Sequence, residues 1–188
     1  MKYLFAFLMI LSIISSCNQK SELALYFNCN KDFGNYNLKT LDDINKNYSM
    51  TFPSHWKSSF YFDEYQSDIY IADTTKSLTS TYILNISNKK GDLIFDQNFK
   101  TKLSSELALQ NLQLIKLDSF QYLETDSYFV HATGNKNNYN YNLIEIYKPS
   151  NNNSFFEIKI ELYGDNQLND RICEAIYFSN LLQDNTQK

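Results

Sequence analysis

Apolar and polar residues alternate with period two along several short stretches of this chain, and turn-forming residues separate them. Ser49-Met50-Thr51-Phe52 alternates up to Pro53, which has no amide proton for a ladder and so ends or edges a strand. Ser58–Tyr65 places Phe60 and Phe62 on one face, Ser67–Asp73 carries Ile69 and Ile71, and Thr81–Ser87 repeats the pattern through Tyr82, Leu84 and Ile86. All three read as strands. Beyond Gly91 the period changes: Leu93, Phe95, Phe99, Leu103 and Leu107 recur roughly every four residues, which predicts a helix of about 16 residues. Leu112–Leu117 and Tyr128–Thr133 return to strand character, and Gly134 with the Asn-rich run after it reads as a turn.

The clearest hairpin joins Asn142–Tyr147 to Phe155–Leu162 through Pro149–Asn153. In its second strand Phe156, Ile158, Ile160 and Leu162 face one side, and Glu157, Lys159 and Glu161 face the other, which is expected to be wet. Asp165 or Asn166 is placed to cap a last helix whose stripe is Leu168, Ile172, Ile176 and Ser179 with Leu182. Leu23–Phe27 is too short for periodicity to choose between helix and strand, and 28–37 is loop-like. Two helices on an antiparallel sheet define an α+β domain.

The first residues are of a different kind. Met1-Lys2-Tyr3 is a short positive start, and Leu4–Ile14 is an apolar run of about 11 residues, too short to span a core that needs roughly 20. It reads as a secretory leader. Ile14-Ser15-Ser16-Cys17 resembles the lipobox of bacterial lipoproteins, with Ile in place of Leu and Ser in place of Gly or Ala. The resemblance implies cleavage after residue 16, diacylglycerol on Cys17 and a membrane partner reached through lipid, each buried methylene contributing about 0.8 kcal/mol. Asn18 after the cysteine, where Asp would signal retention, implies the outer membrane. The alternative is plain secretion, with Ser15 and Cys17 as the small residues flanking a cleavage site. The organisation expected is a lipoprotein signal peptide (1–16), a tether and N-terminal segment (17–44), and one α+β domain (45–188).

Composition narrows the function further. Of 188 residues 43% are hydrophobic and 20% charged, which suits a folded domain and not a disordered one. Four isolated glycines cannot assemble a phosphate-cradling loop. The only arginine is Arg171 and the net charge is −4, so nucleic acid is not an expected partner. Besides Cys17 there are two cysteines, Cys29 and Cys173. In an oxidising compartment they suggest a disulfide pinning the N-terminal segment to the last helix; two separately buried thiols are the alternative.

A family resemblance rests on Tyr48-Ser49-Met50-Thr51-Phe52-Pro53 followed by Trp56, and on the order of elements from residue 45 to 185. An extended strand, a Pro and then a Trp, followed by paired strands, a middle helix, further strands and a closing amphipathic helix, resembles Mog1/PsbP-like domains. The resemblance implies an α/β/α sandwich around an antiparallel sheet and a role as a binding or accessory module. It supplies no catalytic residues and no cofactor. The segment 18–44 falls outside it.

Chemistry-bearing residues are sparse. His55 sits in a loop and His131 in a strand, with no nucleophile and orienting acid at a recognisable spacing. The cysteines and histidines lack zinc-ligand spacing, so no metal is expected. Asp63, Glu64, Asp68 and Asp73 offer hard oxygens within one hairpin but no calcium-loop pattern, and nothing selects Asp63 with Glu145 as a hydrolytic pair. Aromatics make up 16% of the chain; most are expected in the core of a Gly-poor sheet. Tyr139 and Tyr141, set among asparagines, are the tyrosines expected to be exposed for contact with a partner. The function expected is a non-catalytic, membrane-tethered envelope module with an envelope protein as partner. An envelope hydrolase, or an immunity-type lipoprotein neutralising a toxin, is the alternative.

Overall fold

In a computed structural model, which describes residues 21–150 and 153–187, the chain folds as three layers. The middle layer is a seven-stranded antiparallel sheet of order β3-β4-β5-β9-β8-β7-β6. Its strands are β3 (Lys57–Phe62), β4 (Gln66–Ala72), β5 (Ile83–Lys90), β6 (Leu112–Tyr122), β7 (Thr125–Lys136), β8 (Tyr139–Ser150) and β9 (Ser154–Tyr163). On one face lie helix α1 (Glu22–Tyr26), helix α3 (Leu168–Ser179) and a small sheet of β1 (Leu38–Asp42), β2 (Tyr48–Pro53) and β10 (Leu182–Asp184), ordered β1-β2-β10. The other face carries α2 (Gln97–Leu109), packed over the β6–β8 half. This is the α+β domain expected from the elements and the α/β/α sandwich implied by the Mog1/PsbP-like resemblance.

Register explains the burial. Ile69, Ile86, Ile158, Ile146 and Phe129 stand side by side across β4, β5, β9, β8 and β7. They form the floor of the larger core, under Trp56, Phe52, Ile172, Ile176 and Phe178. Removing that much apolar surface from water is the main source of stability, at roughly 25 cal/mol per Å². The small sheet is keyed to the large one by Tyr48, whose hydroxyl donates to the carbonyls of Ile86 (2.8 Å) and Ser67 (3.2 Å). Trp56, two residues past the Pro53–Ser54 corner, packs edge-on against Tyr82 and Phe178.

Several sequence expectations change. The middle helix is 13 residues long and starts at Gln97, because Asp96 caps it by accepting from the Phe99 amide at 2.9 Å. Leu93 and Phe95 lie before the helix, in a stretch that is neither helix nor strand, and both are half-buried against the smaller core, Phe95 stacking on Tyr128 at 4.1 Å. Asp165 and Asn166 do not cap the last helix; Gln167 occupies that position in a left-handed conformation with no side-chain cap. Leu182 has left the helix and pairs with Met50 in β10. Gly134 lies within β7, where a Cβ would come within 2.7 Å of the Asn111 carbonyl, and the turn falls on Asn137-Asn138, both with positive φ. Such a pair is the usual two-residue connection of a twisted hairpin.

The N-terminal segment contributes to the fold along its described part. From Ser21, which caps α1 by accepting from the Ala24 amide, the chain is folded. Leu23, Phe27, Cys29 and Phe33 enter the larger core, and β1 pairs with β2 along its whole length. The apolar cluster Leu23–Phe27 is helical, and its one fully buried leucine is what seats it.

Candidate binding groove

Between α2 and the sheet, where α2 stops short of β5 and β9, lies a groove of about 820 Å³. Phe99, Leu103 and Tyr147 line its apolar wall, the 91–96 loop forms its lip, and Lys89, Glu157 and Lys159 form its floor. The floor is polar because these residues share the sheet face opposite the isoleucine row. Alternation places them there, half-buried along the groove.

On that floor the charges form a ladder. Lys159 Nζ lies 2.9 Å from Glu145 Oε1 and 3.4 Å from Glu157 Oε1, and Lys89 closes the other side of Glu157. Tyr147 donates its hydroxyl to Glu145 Oε2 at 2.9 Å. Burial works against the Lys159 charge, yet the two glutamates more than offset it and hold its pKa above the ordinary lysine range. Burial likewise opposes ionisation of Glu157, and Lys89 and Lys159 overcome it, so its pKa is lowered. For Tyr147, burial and the Glu145 charge act together and keep the phenol protonated.

A carboxylate whose folded pKa is depressed adds stability above its unfolded pKa and loses it as the pH falls through the folded one. Glu157→Gln should therefore cost about 1–2 kcal/mol near neutral pH, with the difference from the parent shrinking toward zero between about pH 5 and pH 3. Urea unfolding across that range reads it out; a pH-independent difference would assign the loss to packing.

The structure places the sequence candidates as follows. Cys29 and Cys173 form a disulfide with Cα atoms 5.3 Å apart, tying the loop after α1 to the middle of α3. Cys17 lies outside the described residues, as does the whole leader. Tyr139 is 42% exposed at the start of β8. Tyr141 is not an exposed contact: it is 1% exposed, paired with Gly134 and Tyr163, its ring 5.0 Å from that of Tyr163 and under the Lys136 ammonium. Its neighbours in the adjacent strands, Gly134 and Tyr163, are what place it inside the sheet.

His131 contacts the Tyr26 hydroxyl at 3.3 Å and Asn142 Oδ1 at 3.5 Å, and burial lowers its pKa, favouring the neutral ring. His55 stands 3.8 Å from Asp73. The hairpin carboxylates diverge. Asp63 caps its own turn through the Tyr65 and Gln66 amides, Asp73 accepts from Thr75, and Asp68 lies on the sheet face with burial raising its pKa. Glu145 is spent on Lys159 and Tyr147, not on Asp63, whose partners are in its own turn. Among the described residues no cluster of three or more metal-ligating side chains forms, and no helix is long and apolar enough to cross a membrane.

From the sequence Glu157, Lys159 and Glu161 read as a wet face, and the charge ladder departs from that reading. The usable signal is register: with Ser150 opposite Ser154, Glu145 must fall opposite Lys159. What α2 adds is cover.

These features define a protein of Mog1/PsbP-like fold, with a charged groove beneath its middle helix. Two solved structures show the likeness. One is the solution structure of PsbP from the cyanobacterium Synechocystis sp. PCC 6803, with a TM-score of 0.54 and 9% identity over 84% of this chain and 99% of that one. The other is the Saccharomyces cerevisiae Ran-binding protein Mog1p, with a TM-score of 0.52 and 9% identity over 79% of this chain and 96% of that one. At such identities the likeness concerns the fold. No protein-family model and no curated protein matches the sequence.

Proposed function

We propose that this chain is a lipid-anchored accessory module of the bacterial cell envelope, held through Cys17 at the outer membrane, whose folded body binds an envelope protein and performs no bond chemistry. The observation that carries the reading is the fate of the cysteines. The sequence has three, and two of them close the Cys29–Cys173 disulfide, which suits an oxidising compartment. The third stands at the end of an apolar leader in a lipobox-like context. One of the structural neighbours is described as a Ran-binding protein, and that a protein of this fold works by docking supports a binding role here. The groove under α2 supports it too, since every charge on its floor has a partner.

Growth with an alkynyl palmitate analogue tests the anchor. The parent chain should be labelled and partition into the detergent phase, and Cys17→Ala should be unlabelled and retain its leader. An unlabelled mature chain in the aqueous phase would overturn the reading.

A further inference from the structure

Strand β3 ends the seven-stranded sheet, and among the described residues it pairs only with β4. Neither helix layer reaches it: Phe60 is 42% exposed, Tyr61 47% and Phe62 57%. A strand edge of this kind is a template for another strand unless something blunts it. The opposite edge, β6, is blunted. It carries a bulge between Leu114 and Lys116, and Lys116 and Asp118 sit on it as a surface ion pair. Strand β3 is regular and has one charge, Lys57.

Its free hydrogen-bonding groups are identifiable. The Asp63 amide donates to the Gln66 carbonyl at 2.9 Å, so residues 63 and 66 are a bonded pair. Because bonding alternates along an antiparallel ladder, Tyr61, Ser59 and Lys57 also turn their backbone groups toward β4. Ser58, Phe60 and Phe62 turn theirs outward.

We propose that β3 pairs with β3 of a second copy of this chain, antiparallel, about a twofold axis at Phe60. The argument is register and charge. A twofold normal to a sheet requires one residue to face its own copy. Centring it on Phe60 sets the outward groups of Ser58, Phe60 and Phe62 against those of Phe62, Phe60 and Ser58 of the other copy. The same register sets Lys57 of each copy opposite Asp63 of the other, so the one positive and the nearest negative side chain of the edge meet twice. Centring on Ser59 or Tyr61 would place Lys57 opposite a tyrosine and lose both pairs. The two seven-stranded sheets then run on as one, and the exposed phenylalanines cover each other. A bilayer suits the strand less well, since Asp63 and Glu64 at the hairpin tip would meet anionic headgroups.

The test uses the full chain in mild detergent and does not depend on how it is anchored. Sedimentation velocity should find a dimer, and Phe60→Lys should raise its dissociation constant by roughly 100-fold or more, because the residue is lost twice at the centre of the interface. Far-UV circular dichroism should be unchanged, as Phe60 is a surface residue. Phe60→Cys in cells should give a disulfide-linked band at twice the monomer mass. A parent chain that sediments as a monomer at micromolar concentration, or a Phe60→Cys chain linked to a different protein, would overturn the proposal. So would a chain that dimerises with Phe60→Lys undiminished.

Discussion

Replacing both bridged cysteines, Cys29→Ser with Cys173→Ser, should lower the unfolding free energy by about 5 kcal/mol, roughly a 10–20 °C fall in Tm for a domain of this size. The estimate follows from the sequence separation of 144 residues. Cross-linking points so far apart removes a large share of the conformations of the unfolded chain, and the loss grows with the logarithm of the loop. The native state has its own stake in the bond. The polypeptide from Ser21 to Asn37 contains only one five-residue helix, and it reaches the core through Leu23, Phe27 and Phe33. Helices that short are not stable alone, so this segment depends on being held against α3. Guanidinium unfolding of the oxidised parent and the double-Ser variant measures the effect. The amides of residues 22–29 should lose hydrogen-exchange protection before the sheet does. A difference below about 1 kcal/mol would show that residual structure in the unfolded chain already does the work assigned to the bridge.

Period-two patterning survived folding well where one sheet face is apolar and the other polar. Ile69 and Ile71, and Phe156 to Leu162, were readable because a slip of one residue would turn each set toward water. The same logic located the hairpin and the order of elements, and with them the α+β class; the α/β/α layering came from the resemblance that this order carries. It failed where two elements bury one strip. Leu93 and Phe95 fit a helical period by count, but an Asp cap at 96 overrides period, and nothing in residues 93–95 distinguishes extended from helical burial. The polar neighbours of Tyr141 in sequence suggest exposure, whereas its burial is set by Gly134 and Tyr163, 7 and 22 positions away, in adjacent strands. The groove was legible only in half: Glu145 and Lys159 are a register consequence, and the cover from α2 is tertiary. The N-terminal segment gave no pattern because short stretches carry too few periods.

Arg171 is where composition and structure meet most sharply. As the only arginine it invites assignment to an anionic ligand, but it is 5% exposed and its guanidinium is engaged by four backbone carbonyls. Nε donates to the Asn166 carbonyl at 2.7 Å, Nη1 to Thr81 (2.8 Å) and Tyr163 (3.1 Å), and Nη2 to Gly164 (2.6 Å). One planar fork thus joins the end of β9, the turn into α3 and the approach to β5. Burial pulls its pKa below the ordinary value, with Asp165 offsetting part of that. Arg171→Met should cost about 3–4 kcal/mol, since the Thr81 and Tyr163 carbonyls are left buried without donors at roughly 1–3 kcal/mol each. Arg171→Lys keeps the charge, yet a single ammonium cannot span four carbonyls arranged around a plane, so it should recover less than half of the loss. If Arg171→Lys unfolded within about 0.5 kcal/mol of the parent, the positive charge, and not the geometry of the fork, would be what stabilises this corner.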